Sequence, residues 1–249
     1  MTTFTYSQKT LDLVEKIKAE GKTVRLSNTS KLGVKSWSLQ AIKTCPAAID
    51  KNGNLVSACS GCYATSGNYR FSNVQAPRLY NQIAWESQDF IEKFVEELQN
   101  ERFFRWFDSG DMYSLKLAEK IFKIMQLTPH VKHWLPTRMH KFPKFASIIR
   151  QMASLENVVV RLSSDSINGE KVNSQLVDTN STILDQSSLD NLDKSIFVCK
   201  AFEQDGKCLT CKACYDKGIK TIGYVGHGVT MKKRQKQANT ARLIDCATI

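Results

Sequence analysis

Hydrophobic and polar positions along the chain follow helical and strand periods in turn. Apolar residues recur at helical spacing in four segments, which we predict to be helices: 8–20, 77–100 with a break near Ser87, 114–125 and 141–153. Gly21 follows the first of these segments as a helix terminator. Short apolar runs predict strands at 24–26, 103–107, 132–137, 157–162, 195–199 and 219–225.

This alternation of strands and helices predicts an α/β fold. Successive βαβ units form a parallel sheet, which is either open or wound into a full or partial barrel. Ligands of such sheets bind where the strands end. Polar residues follow the predicted strands at those points: Asp108–Asp111, Thr137, Arg138, Ser163–Asp165 and Cys199. Residues 27–73 show little periodicity, and so long an irregular stretch indicates a functional loop.

Composition and charge limit the number of domains, the cellular location and the kinds of partner that we expect. The 249 residues suffice for one domain or two small ones, and the hydrophobic fraction of 42% is ordinary for a soluble protein. No secretion signal or membrane span is evident, so we expect a cytoplasmic protein without a membrane partner. The net charge of +11 indicates either a polyanionic partner such as nucleic acid or a solvated basic surface.

Eight cysteines in a cytoplasmic chain favour metal or redox chemistry over disulfides. Three of them, Cys208, Cys211 and Cys214, are separated by gaps of two residues. That spacing is typical of loops that hold an iron–sulfur cluster, and Cys199 at a strand end is the candidate fourth ligand. The alternative is a structural zinc ion bound by four thiolates.

A second group consists of Cys45, Cys59 and Cys62. Three thiolates on a four-iron cluster leave one iron open to a substrate or cofactor. The other interpretation is a closed site in which Cys246 or a histidine such as His227 supplies the fourth ligand.

Five short motifs of the chain carry a family resemblance: Trp37-Ser38, Thr44-Cys45-Pro46, Cys59-x2-Cys62-Tyr63-Ala64, Asp108-Ser109-Gly110-Asp111 and the cysteine group at 199–214. Together they are similar to the gene-product-eighty-eight family of phage and prophage proteins, over roughly residues 25–225. More distantly, the chain resembles another phage protein family that is described as radical-SAM-like.

The resemblance implies a radical S-adenosylmethionine enzyme. Its fold would be a partial (β/α)6 barrel over residues 1–195, with an auxiliary cluster segment and basic tail over residues 196–249 packed on the barrel. S-adenosylmethionine would bind the open iron of a [4Fe–4S] cluster, and a reductant protein would supply the electron that cleaves it to a 5′-deoxyadenosyl radical. A second [4Fe–4S] cluster would occupy the later cysteine group.

The same resemblance assigns roles to other residues. In such enzymes the turn after the second strand holds the cofactor's ammonium, and here that turn contains Ser109, Gly110 and Asp111. Residues that end later strands would contact the ribose and carboxylate, and Thr137, Arg138, Arg161 and Ser163 are the candidates. Tyr63 would lie beside the adenine or shield the cluster.

Two non-catalytic functions are the alternatives. In the first, the clusters stabilise the fold or sense redox state while the basic surface binds nucleic acid or a host protein. In the second, the cysteines bind zinc and the chain is a binding protein. If the chain is an enzyme, the sequence does not name its substrate. The basic charge makes a nucleic acid or nucleotide the candidate.

Overall fold

The computed structural model describes residues 5–247, apart from the side chains at positions 188, 190 and 240–247. Its helices are α1 (Gln8–Ala19), α2 (Ser57–Ser60), α3 (Ser72–Ala84), α4 (Phe90–Leu98), α5 (Leu115–Leu127), α6 (Ala146–Ser154) and α7 (Val229–Ala247). Its strands are β1 (Ser27–Thr29), β2 (Val34–Trp37), β3 (Phe103–Trp106), β4 (Lys132–Thr137), β5 (Val158–Ser163), β6 (Asn180–Leu184), β7 (Ile196–Val198) and β8 (Thr221–Val225). The side chain of Cys246 lies outside the described part of the chain.

The described strands form one sheet in the order β1-β2-β3-β4-β5-β6-β8-β7. β1 and β2 are antiparallel, and all other neighbours are parallel. Within residues 5–247 no pairing joins the two edge strands, so the sheet is open rather than a closed barrel. The predicted α/β class with a mostly parallel sheet is confirmed. The predicted domain boundary at residue 195 falls between strands of this one sheet. No helix in residues 5–247 has the length and apolar composition needed to cross a bilayer.

One face of the sheet packs against helices. Alternation along β3 directs Phe104 and Trp106 to this face, where both are fully buried. Phe94 of α4 stacks on Trp106 with 4.9 Å between ring centroids and meets Phe104 edge-on at 5.5 Å. Phe90 and Leu98 lie one turn before and after Phe94 on the same helical stripe, and both are fully buried. Each such side chain contributes about 1.5–3 kcal/mol through removal of its apolar surface from water.

The opposite face of the sheet is covered by the chain between β7 and β8. Trp134 points to this face, whereas its neighbour Leu135 points into the helical core. Tyr215 packs against Trp134 and against Phe103, with ring centroids 6.0 and 5.1 Å apart. We call residues 199–215 the C-terminal cysteine segment.

The order of the last strands explains this placement. From β2 to β6 each new strand is added on the same side of the previous one, but β8 inserts between β6 and β7. Connections between parallel strands are right-handed in nearly all proteins. A connection that runs backwards across the sheet must therefore lie on the opposite face. The C-terminal cysteine segment is this backward connection.

The predicted helices are confirmed, including the break before α4, and so are the predicted strands that correspond to β3, β4, β5, β7 and β8. The strand predicted at 24–26 is wrong, because the hairpin of β1 and β2 starts at Ser27. Five elements were not predicted: β1, β2, β6, the one-turn helix α2 and α7. β2 and β6 carry polar residues on buried positions, such as Ser36 and Asn180, which weakens the apolar pattern.

Candidate metal centre

The connection between β2 and α3, residues 38–71, carries three cysteines and is called the cysteine loop. The 13 residues between Cys45 and Cys59 fold back on themselves through an antiparallel bridge between Ile49 and Leu55. Cys45 and Cys59 consequently pack in one small apolar cluster. The long spacing in the sequence therefore becomes a short separation in space.

Cys62 follows within one turn, and its amide donates to the Cys59 carbonyl at 3.1 Å. Burial raises the pKa of each of the three thiols, and for Cys45 the charges of Cys59 and Cys62 raise the pKa further. The three sulfur atoms thus lie within electrostatic reach of one another. Ionisation of such buried thiols requires a compensating positive charge, which a bound metal supplies.

The described cysteines are all free thiols. Among the described residues, no group of three or more Cys, His, Asp or Glu side chains is already arranged as a metal site. The cysteine loop places its thiols near one another but does not hold them in the geometry of a metal site. Soft sulfur donors of this kind suit iron–sulfur clusters or zinc and do not suit magnesium or calcium. The donor chemistry is therefore compatible with the predicted cluster and equally with the zinc alternative.

The turn after β3 is tied to the cysteine loop. The Leu39 amide donates to the Ser109 carbonyl at 2.9 Å, and the Ser109 hydroxyl donates back to the Leu39 carbonyl at 2.6 Å. The Asp111 amide donates to the Thr44 carbonyl at 3.1 Å. Gly110 lies between these contacts with φ +83°, and a Cβ atom there would come within 2.6 Å of the Leu39 side chain. The predicted Ser-Gly-Asp turn therefore lies beside the first cysteine.

The Asp111 carboxylate is buried and bonded within the protein. Its oxygens accept the Thr137 hydroxyl at 2.8 Å, the Arg138 amide at 2.9 Å and the Met112 amide at 2.8 Å. Burial raises the pKa of Asp111, and these hydrogen bonds oppose the rise. Asp111 thereby joins the turn after β3 to the end of β4. The negative charge of Asp111 also raises the pKa of Cys45.

Two cations lie near the Cys59 thiol. The Arg138 guanidinium donates to the Ser164 carbonyl at 2.8 Å and pairs with Asp165 at 3.3 Å. Lys141 pairs with Asp165 at 2.7 Å and donates to the Ala47 carbonyl of the cysteine loop. The positive charges of Arg138 and Lys141 work against the burial that raises the pKa of Cys59. The negative charge of Asp165, which pairs with both cations, acts in the opposite direction and raises the pKa of Cys59.

Ser163 and Tyr63 also lie at this end of the sheet. Ser163 ends β5 and is in register with Ser181 of β6. The Tyr63 hydroxyl donates to the Asp108 carbonyl at 2.7 Å, and its ring meets the Tyr69 ring edge-on at 5.3 Å. The strand ends thus bring together the predicted residues Tyr63, Ser109, Gly110, Asp111, Thr137, Arg138 and Ser163.

Asp108 is the centre of a polar network that the sequence did not indicate. Its carboxylate accepts from Arg105 at 2.9 Å, from Arg78 at 3.2 Å and from the Tyr69 hydroxyl at 2.6 Å. The Arg105 guanidinium also lies over the Trp134 ring, 4.7 Å from its centroid. A charged residue inside the apolar run of β3 was the available signal for Arg105. Arg78 and Tyr69 carry no such signal, because they reach the site from α3 and the turn before it.

The C-terminal cysteine segment brings together Cys199, Cys208, Cys211 and Cys214. Burial raises the pKa of Cys208, and the charges of Cys199 and Cys211 add to the rise. Burial raises the pKa of Cys214 to about 11, against the effect of a hydrogen bond with the Tyr224 hydroxyl at 3.4 Å. The Cys208 amide donates to the Lys31 carbonyl at 2.8 Å, which ties the segment to the β1–β2 turn.

Arg161 holds this segment against the sheet. Its side chain is fully buried and donates to four backbone carbonyls, those of Ala213, Cys214, Asp216 and Ile219, at 2.8–3.2 Å. The guanidinium has five N–H donors, so most of its capacity is used here. In this structure Arg161 is bonded to the second cysteine group rather than to the residues around the first.

Arg105 connects the two cysteine groups. It donates to the Tyr63 hydroxyl at 3.2 Å, and Tyr63 directly follows Cys62. The positive charge of Arg105 also works against the burial that raises the pKa of Cys214. Arg105 therefore lies within reach of both cysteine groups.

Comparison with known proteins identifies the family of this chain and nothing beyond it. No curated protein and no solved structure matches the chain. A family model described as gene product 88 matches residues 5–217, which include the cysteine loop, the turn after β3 and the C-terminal cysteine segment. Since this match covers most of the 249 residues, the chain belongs to the gene product 88 family.

Proposed function

We propose that this protein is a radical-SAM-like iron–sulfur enzyme that binds S-adenosylmethionine at the cysteine loop. The observation that carries the proposal is the convergence of Cys45, Cys59 and Cys62 at the ends of parallel strands. Three thiolates from one loop leave one iron of a [4Fe–4S] cluster available to a further ligand.

The order of the parallel strands supports this proposal. β2, β3, β4, β5, β6 and β8 are consecutive neighbours in the sheet and run in one direction. A partial (β/α)6 barrel of the radical SAM type has six such strands, with the cluster loop after the first and the cofactor turn after the second. Here the cysteine loop follows β2 and the Ser109–Asp111 turn follows β3.

The proposal assigns each residue around the thiols one contact with the cluster or with S-adenosylmethionine. Cys45, Cys59 and Cys62 would hold the cluster, which when bound supplies one electron to the sulfonium of S-adenosylmethionine. Asp111 has oxygen lone pairs left for the cofactor's ammonium, while its bonds to Thr137 and Arg138 hold it in place. Arg138 is suited to the cofactor's carboxylate, and Tyr63 covers the side towards Asp108.

The C-terminal cysteine segment would hold a second [4Fe–4S] cluster. Cys199, Cys208, Cys211 and Cys214 supply four thiolates, so every iron of that cluster would have a protein ligand. Arg161 then has a positioning role, because it fixes the backbone at Cys214 and at its neighbour Ala213.

Metal and sulfide analysis of anaerobically purified protein tests the proposal. We expect about eight iron and eight sulfide per chain, and about half of each in Cys45→Ala, Cys59→Ala or Cys62→Ala. Cys246→Ala is the matched control and should keep the full content. Zinc without sulfide, or full iron in the variants of both groups, would contradict the assignment.

A second measurement separates an enzyme from a non-catalytic iron–sulfur protein. The reduced protein is incubated with S-adenosylmethionine and a chemical reductant, and 5′-deoxyadenosine is measured. An enzyme of the proposed class forms it, and Cys62→Ala does not. Intact clusters without this product would leave a structural or redox-sensing role.

A further inference from the structure

α7 lies across the same end of the sheet as the cysteine loop. It follows β8. The Gln235 side-chain amide donates to the carbonyl of Leu184, which ends β6, and to the carbonyl of Ile167, which follows β5. Gln235 itself is 4% exposed. These bonds fix α7 to the strand ends at which we place the cofactor.

Two glycines allow this close approach. A Cβ atom at Gly226 would lie 2.6 Å from the Gln235 amide group, and one at Gly61 would lie 3.0 Å from the end of the Met231 side chain. Gly61 belongs to the cysteine loop, between Cys59 and Cys62. Met231 and Gln235 are one turn apart, so α7 turns a single face to the protein.

The other face of α7 is strongly basic. Lys232, Lys233, Arg234 and Lys236 are all exposed. Within the described residues, no acidic side chain pairs with Lys232, Lys233 or Arg234. The whole chain carries a net charge of +11, so the long-range field around this helix is also positive.

A groove separates this basic face from the cysteine loop. Its volume is about 690 Å³, and it is lined on one side by Asn54, Leu55 and Ser57 and on the other by Arg234 and Gln237. The groove is open to solvent along its length rather than an enclosed pocket. An extended polyanion on α7 would therefore pass directly beside the loop that carries Cys59.

We infer that the exposed face of α7 is a docking surface for the phosphate backbone of a nucleic acid. Lysine and arginine side chains clustered within one turn of a helix, and spread around its exposed surface, provide the charge that such a backbone requires. A membrane surface fits less well, because interfacial helices direct their apolar face outward and here Met231 faces the protein. The inference does not depend on the cluster chemistry.

Binding titrations with the full-length protein test this inference. Fluorescently labelled single-stranded DNA, single-stranded RNA and duplex DNA are titrated at several salt concentrations. We expect salt-dependent binding, which the triple variant Lys232→Gln, Lys233→Gln and Arg234→Gln weakens about tenfold or more with a smaller salt slope. Thermal unfolding of the variant establishes that it is folded.

The control variant removes the same number of positive charges at the far side of the sheet. Its substitutions, at exposed positions of α5 and α6, are Lys116→Gln, Lys123→Gln and Arg150→Gln. It should keep at least half of the affinity. Equal weakening by both triple variants would overturn the inference, as would wild-type binding without salt dependence. Binding to anionic vesicles but to none of the nucleic acids would overturn it in favour of a membrane. Iron content is measured on the same samples, so failure of the docking surface is distinguished from loss of the clusters.

Discussion

Gly110 shows how one residue fixes the relation between two loops. Its φ of +83° lies in the left-handed region, which residues with a Cβ atom rarely adopt. The space beside it is filled by Leu39 and by the Thr44 hydroxyl, 2.6 and 2.7 Å from the position of a Cβ atom. Thr44 directly precedes Cys45, so the backbone approach at Gly110 sets the distance from the turn to the first thiol.

Gly110→Ala should therefore cost more stability than an ordinary substitution of a left-handed glycine. We expect a loss of about 3 kcal/mol in the free energy of unfolding, from conformational strain and overpacking together. Chemical denaturation provides the measurement. Gly21→Ala is the matched control, since Gly21 has φ +68° and no neighbour within 4 Å of a Cβ atom, and it should cost about 1 kcal/mol. Equal losses of unfolding free energy in the two variants would show that the turn is not in tight steric contact with the cysteine loop.

One side chain from another element, that of Arg161, anchors the end of the C-terminal cysteine segment. Arg161 of β5 is the only described residue that donates to carbonyls at four points of residues 213–219. Arg161→Lys keeps the charge but replaces a planar fork by one ammonium, which cannot reach all four carbonyls. Buried carbonyls without partners destabilise the segment by about 1–3 kcal/mol each.

We therefore expect Arg161→Lys to release this segment while the cysteine loop stays intact. Limited proteolysis should cleave within residues 199–215 sooner than in the wild type, and the iron content should fall to about half. Arg150→Lys, on the exposed face of α6, serves as the control and should change neither property. Unchanged cleavage and iron in Arg161→Lys would show that other contacts hold the segment.

Elements with a regular apolar period could be predicted from sequence, and elements with buried polar residues could not. α4 has Phe90, Phe94 and Leu98 at helical spacing, and this stripe alone identifies it. β6 buries Asn180, Ser181 and Thr182, whose polarity is typical of loops. The part of α7 whose side chains are described, residues 229–239, is mostly polar because only one narrow face of it contacts the protein, so its period is weak.

The site was predictable where residues are neighbours in sequence or follow strands, because both relations persist in the fold. Ser109, Asp111, Thr137 and Arg138 followed predicted strands and do meet at one end of the sheet. The contact of Asp108 with α3 was not predictable, since it depends on the angle at which the helix crosses the sheet. The same limit applies to Arg161, whose partners are more than 50 residues away in sequence.

For the whole molecule, His133 makes stability depend on pH. Burial lowers the pKa of His133 from 6.5 to about 3. Its ring lies in the core, where Nδ1 accepts from the Trp106 indole at 3.3 Å and Nε2 donates to the Thr128 hydroxyl at 2.9 Å. Between pH 6.5 and 3 the unfolded chain binds more protons than the folded chain, so stability falls as pH falls.

We expect this residue to contribute as much as about 1.4 kcal/mol per pH unit below its unfolded pKa. Denaturation measured between pH 5 and 7 should show a shallower slope for His133→Gln than for the wild type, although the variant is less stable at neutral pH. A variant slope equal to that of the wild type would mean that His133 is protonated in the folded core.

The inserted position of β8 has a consequence for biosynthesis. Among the described strands β7 pairs only with β8, which leaves the ribosome some 25 residues later. The nascent chain can therefore complete the helical core while β7 still lacks a neighbour, whereas the cysteine loop gains its contact with Met231 only after β8 and α7 have been made. We expect neither cysteine group to reach its final arrangement until the chain from Thr221 onward has left the ribosome.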